Sequence, residues 1–116
     1  MRRLVTALVV AAVAGIVATL AACDRTVAGG STDGATVFRA ACASCHGERG
    51  KPPQQMAAQL GVRDLTGAEF RARRDRATIE GQVRKGSGNG RMPGFEGALT
   101  AAQIEAVTAY VLTLGD

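Results

Sequence analysis

From Leu4 to Ala22 the chain runs without a charge, rich in Ala, Val and Leu. Beyond Cys23 apolar positions recur three and four apart between polar ones, the spacing of a helix face. No stretch alternates with the two-residue period of a strand, and β-branched residues are scattered. Helix-start signals recur instead. Asp33 predicts a cap for a helix through Thr36, Val37 and Phe38 to Cys45. Thr66-Gly67-Ala68-Glu69 reads as a capping box ahead of Phe70. Thr78 is a cap for Ile79 to Lys85, with Gly86 as the stop. Thr100 and Gln103 form a second capping box, with Leu99 placed to staple onto Ile104. Ile104, Val107, Val111 and Leu114 then make one apolar stripe. Residues 86–97 hold five glycines and one proline, which marks a loop. The expected class is all-α, about four short helices with no internal repeat.

The N-terminal run is a separate matter. Arg2 and Arg3 precede it and small residues end it, the pattern of a secretory signal. Leu20-Ala21-Ala22-Cys23 resembles a bacterial lipobox, in which cleavage before the cysteine leaves it lipidated. The expected boundaries are 1–22 for the signal, 23–32 for a flexible lipid-anchored tether and 33–116 for the domain. The tether reading rests on the short polar and glycine-rich stretch 24–31. An uncleaved anchor is the alternative, since about 20 apolar residues span a bilayer. With Arg2 and Arg3 held inside, both place the domain outside the cytoplasm. Asp24 resembles a signal that retains lipoproteins at the inner membrane. The expected location is the outer face of the cytoplasmic membrane, in the periplasm.

Removing the signal takes the 14 basic residues to 12 against 10 acidic ones, so net charge falls from +4 to +2. That is too mild to argue for nucleic acid. Arg71, Arg73, Arg74 and Arg76 cluster, with Arg84, Lys85 and Arg91 later. They read as a solvated helical face with pairs such as Glu69 and Arg73, in preference to a docking patch for an acidic partner. Aromatic residues are few: three Phe, one Tyr and no Trp. A domain this short and this poor in large apolar groups needs something further to bury.

Cys42-Ala43-Ser44-Cys45-His46 supplies it, as a C-x-x-C-H haem attachment motif. Residues three apart share a helix face, so both thiols reach one edge of a haem and add to its vinyl groups. His46, the only histidine in the chain, follows directly and sits over the iron. A redox disulfide wants a βαβ setting, which is missing. Zinc wants more ligands, and only the distant Cys23 remains. Lipid on Cys23 and haem on Cys42 and Cys45 account for all three cysteines.

With that motif the chain resembles the class I cytochrome c family, close to its small bacterial monohaem members. Gly34 and Phe38 precede the motif at the family's spacing, where the glycine lets the terminal helices cross and the aromatic packs. Arg91-Met92-Pro93-Gly94-Phe95 looks like the Met-Pro loop that carries the sixth iron ligand. Tyr110 resembles the aromatic of the last helix. The resemblance covers residues 33–114. It implies one covalent haem c, with His46 and Met92 as axial ligands to its iron. Glycines let the loop approach closely, and a thioether suits ferrous iron. Met56, the competing sulfur, reads as a core contact under the haem with Leu60. The resemblance also implies a proline carbonyl, from Pro52 or Pro53, that accepts the second ring proton of His46. Phe38 and Tyr110 are expected to pack near the haem. Arg91 is a candidate for its propionates.

The expected function is one-electron transfer rather than catalysis, between membrane-associated respiratory or periplasmic partners: an oxidase, a dehydrogenase or another cytochrome. His/Met ligation raises the potential and leaves no open site for a small-molecule substrate. One alternative is the cytochrome subunit of a periplasmic dehydrogenase or reductase. A gas sensor or a peroxidase becomes the reading if Met92 does not bind iron.

Overall fold

The computed structural model describes residues 26–116, so the leader and Cys23 lie outside the described residues. Six helices follow in order: α1 Gly34–Ala41, α2 Ala43–His46, α3 Gln54–Leu60, α4 Ala68–Arg73, α5 Arg76–Lys85 and α6 Ala101–Thr113. The described residues form no strand, only an isolated bridge between Glu96 and Leu99. None of their helices is long and apolar enough to cross a membrane. The fold is all-α, as the pattern predicts.

α1 starts where Asp33 accepts a hydrogen bond from the Thr36 N–H at 2.8 Å. It does not run smoothly to Cys45. Cys42 leaves helical geometry, with φ −122°, although its N–H still reaches the Phe38 carbonyl at 2.8 Å. The chain then turns again as α2, with the His46 N–H on the Cys42 carbonyl at 2.9 Å. The break is a re-aimed turn: the ladder stops at the Cys42 N–H and restarts on the Cys42 carbonyl.

Two caps differ from expectation by a few residues. α4 begins at Gly67 with no side-chain cap, because the Thr66 hydroxyl is engaged by Asp64 Oδ1 at 2.6 Å. α5 is capped by Asp75, which accepts the Thr78 N–H at 2.9 Å and the Thr78 hydroxyl as well. Thr78 is therefore inside the helix, and Gly86 ends it as read. At α5 a nearby carboxylate, the stronger acceptor, took the role assigned to threonine; at α4 the carboxylate only draws the threonine away. These bonds hold the Asp33 and Asp75 carboxyls below the ordinary carboxylate range.

α6 carries the core. The Thr100–Gln103 box forms in full, at 3.2 and 3.0 Å. Ile104, Val107, Val111 and Leu114 are all buried, with Leu99 beside them. Val37, Phe38 and Ala43 meet this stripe from one side and Ile79, Val83 and Leu65 complete the cluster. α6 packs against both α1 and α5. Gly34 permits the first of these contacts, since a Cβ there would lie 2.3 Å from the Ala106 carbonyl oxygen. Phe38 and Tyr110 stack at the same crossing, ring centres 5.3 Å apart. α3 buries no residue; Met56 is half-buried and Leu60 is 39% exposed, so neither joins the protein's own core.

Residues 26–31, read from composition as tether, are fastened to α6. The Gln103 amide is buried and its Nε2 donates to the carbonyls of Gly29 at 2.7 Å and Ser31 at 2.9 Å. The Val27 N–H reaches the Ala98 carbonyl at 3.2 Å.

The basic cluster is largely paired. Arg74 and Arg71 reach Asp116 at 2.9 and 3.6 Å. Arg73 meets Glu69 at 3.8 Å, and Arg84 meets Glu80 at 2.7 Å. The expected Glu69–Arg73 pair forms, while Arg74 is largely buried and also donates to the Leu114 carbonyl.

Thr108 is fully buried on α6, and its hydroxyl has no partner among the described residues. An unpaired buried hydroxyl costs about 1–3 kcal/mol. Thr108→Val keeps the shape and should raise the unfolding free energy by about 1 kcal/mol. Gly34→Ala should lower it by about 1–3 kcal/mol, through overpacking at the crossing. Denaturant unfolding of the holoprotein checks both signs.

Candidate functional site

α1 ends and α2 begins at Cys42, which places Cys42, Cys45 and His46 within one and a half turns of chain. All three are half-buried. Both cysteines are free thiols, and Cys42 packs against the edge of the core. Burial pushes the Cys42 thiol up to about 11, and the neighbouring Cys45 adds to this. Cys42 is therefore a neutral thiol near pH 7. Burial lowers the His46 pKa, opposed by a weaker contact with the Arg63 carbonyl. A neutral imidazole is the form that ligates metal.

The Arg63 contact decides which ring nitrogen is free. His46 Nδ1 lies 3.4 Å from the Arg63 carbonyl oxygen. With Nδ1 as donor, Nε2 keeps its lone pair for a metal. Neither proline expected in this role supplies the carbonyl that meets the His46 ring here. The Pro53 carbonyl is committed to the Ala57 N–H at 3.1 Å, as the first acceptor of α3. Pro52 is half-buried in the turn before it. A backbone carbonyl carries no sequence signature, so nothing in the sequence singles out Arg63.

The 86–97 loop brings Met92 to the edge of the core, half-buried. Gly86 requires its own conformation, with φ 75° and a Cβ position 2.4 Å from the Met92 carbonyl oxygen. The Met92 N–H donates to Ser87 Oγ at 2.9 Å, a contact not anticipated from the sequence. Arg91 Nη1 donates across to the Leu60 carbonyl at 3.3 Å. Leu60 and Arg63 are three residues apart, roughly 10 Å at full extension. One short segment is thus touched by the His46 ring at one end and by the residue before Met92 at the other. Phe38 and Tyr110 lie at the α1–α6 crossing, with Phe38 wholly inside the protein core.

The donor set fits a porphyrin-held iron better than a chelated ion. Among the described residues no three His, Cys, Asp or Glu side chains gather as a metal cluster. There are instead two thiols three residues apart, one neutral imidazole with a free nitrogen, and one thioether on a fixed loop. Each is half-buried, and Cys42 and Met92 pack at the edge of the apolar core, a setting a flat apolar group would cover.

Residues 30–111 match the family described as Cytochrome C oxidase, cbb3-type, subunit III. The chain is 43% identical over 82 residues to the cbb3-type cytochrome c oxidase subunit FixP of Azorhizobium caulinodans, covering 71% of this chain and 26% of FixP. It thus spans about a quarter of that relative's length. Cytochrome c6 of Microcystis aeruginosa is 44% identical over 83 residues, covering 69% of this chain and 91% of that protein. The solved structure of the c-type cytochrome KustC0563 superposes with a TM-score of 0.62 at 29% identity, over 69% of this chain and 94% of that one. The chain belongs to the cytochrome c family, as a domain of the cbb3-type subunit III kind.

Proposed function

We propose that this protein is a monohaem electron carrier in which Cys42 and Cys45 hold haem c covalently and His46 and Met92 ligate its iron. The observation that carries the reading is the His46 ring, neutral, half-buried and with Nδ1 on the Arg63 carbonyl, directly after the two thiols. Haem c, when bound, supplies an iron that takes up and returns one electron. The chain's own groups do the rest. Each thiol adds across a vinyl group with no leaving group, which fixes the cofactor permanently. The Arg63 carbonyl orients the imidazole and raises its basicity. Met92, as a thioether ligand beside His46, would favour the reduced state and raise the potential. Membership of the cytochrome c family, and the likeness to cytochrome c6 over nearly its full length, support carriage of electrons rather than catalysis.

The partner we propose is a membrane oxidase, on the strength of relatives named as cbb3-type oxidase subunits. A dehydrogenase or another cytochrome would serve as the second partner. Cys23, lipidated after cleavage of residues 1–22, would hold the domain at the outer face of the cytoplasmic membrane. Tethering raises the effective concentration of the carrier there.

Visible spectra test the ligands. The oxidised holoprotein should show the weak sulfur-to-iron band at the red end of the spectrum, and Met92→Ala should abolish it and open the reduced protein to CO. A high-spin wild type that binds CO without the substitution would sink the carrier reading in favour of a sensor or peroxidase. Fractionation tests the anchor: Cys23→Ala should move the protein from the membrane to the soluble periplasmic fraction. If the variant stays membrane-bound, residues 1–22 are an uncleaved helix.

A further inference from the structure

Ser87 meets Met92 at both of its peptide groups. The Met92 N–H donates to Ser87 Oγ at 2.9 Å, and the Ser87 N–H donates to the Met92 carbonyl at 3.0 Å. The serine hydroxyl is itself oriented. It donates to Asn89 Oδ1 at 2.6 Å, which leaves its lone pairs for the methionine N–H. The same Asn89 oxygen accepts the Arg91 N–H at 3.1 Å. The Gly90 N–H returns to the Ser87 carbonyl at 3.0 Å and closes the turn. Residue 92 is therefore pinned to the end of α5 through one side chain, five positions earlier in the chain.

From this geometry we infer that Ser87 is a positioning residue for the Met92 sulfur. The inference rests on Met92 ligating iron. A methionine side chain has three rotatable bonds and its thioether is a weak ligand, so its aim depends on where its Cα is held. Ligand groups perform only within about 0.5 Å of their working geometry, which needs supporting contacts on the ligand residue itself. Here Pro93 restricts the chain after Met92. Ser87 fixes the peptides on either side of it, and Asn89 fixes Ser87. Of the two bonds between Ser87 and Met92, the backbone one survives any non-proline substitution. The side-chain one is lost in Ser87→Ala, which leaves the Met92 N–H unpaired at a half-buried position.

The test uses haem-loaded wild type, Ser87→Ala, Ser87→Thr and Asn89→Ala, with Met92→Ala as control. Two readouts report on the iron: the temperature at which the oxidised protein loses its sulfur-to-iron band, and the rate of CO uptake by the reduced protein. Far-UV circular dichroism reports global unfolding. Ser87→Ala should lose the band well below its unfolding temperature and take up CO about tenfold faster than wild type. Ser87→Thr, which keeps the hydroxyl, should restore both. Asn89→Ala should shift both in the same direction by less, and it carries the test if Ser87→Ala does not fold. If the band is present, Met92→Ala removes it, and these variants match wild type in band loss and CO uptake, the role of Ser87 is overturned while ligation by Met92 stands. Band loss that merely tracks unfolding, without rescue by threonine, also overturns it. A wild type lacking the band overturns the ligation reading and this role with it.

Discussion

A methyl group at Gly34 would sit 2.3 Å from the Ala106 carbonyl oxygen and 2.9 Å from the Tyr110 Cβ. No side chain fits there, so α1 can lie on α6 at this distance only with glycine in place. The contact has consequences along α1. It seats Val37 and Phe38 wholly inside, where Phe38 stacks on Tyr110 and meets the stripe of α6. It also determines where α1 delivers its last turn. Cys42 follows directly, with its N–H still bonded to Phe38, so the thiols and imidazole inherit their position from a packed helix rather than from a free loop.

The position of Met92 depends on the other helix that packs on α6. α5 buries Ile79 and Val83 and ends at Gly86. The Phe95 N–H bonds to the Val83 carbonyl at 2.9 Å, and the Glu96 N–H to that of Arg84 at 3.3 Å. The loop holding Met92 therefore leaves α5 and returns to its last turn. α6 thus holds two elements at once, one leading to the thiols and imidazole and one leading to the thioether. Electron transfer benefits from such a frame, because a site that moves little on changing charge wastes little energy in reorganisation.

The sequence made the ends of α6 legible, because Thr100, Gln103 and the stripe from Ile104 to Leu114 act within one helix and need no partner to be recognised. The haem motif was legible for the same reason: its three residues are adjacent. What the sequence could not show were contacts that depend on distant chain or on backbone atoms. Asp75 displaced Thr78 as the cap and Asp64 engaged the Thr66 hydroxyl, and a reading of threonine alone could not weigh that competition. The bond from His46 goes to a carbonyl 17 residues later, and a carbonyl has no letter in the sequence. Gln103 was identified for its local bond to Thr100, yet its other end gathers Gly29 and Ser31 from more than 70 positions away.

That last contact bears on how the carrier meets its partner. A flexible tether lets an anchored domain present every face in turn. Here residues 26–31 are bonded to a buried amide on α6, so that stretch adds nothing to the length of a leash. A short leash lowers the reach of the domain but restricts its orientations, and an encounter that needs one haem edge to meet one partner gains from the restriction. On this view Gln103 does two jobs with one side chain. Its oxygen closes the cap that starts α6, and its nitrogen holds residues 26–31 against that helix.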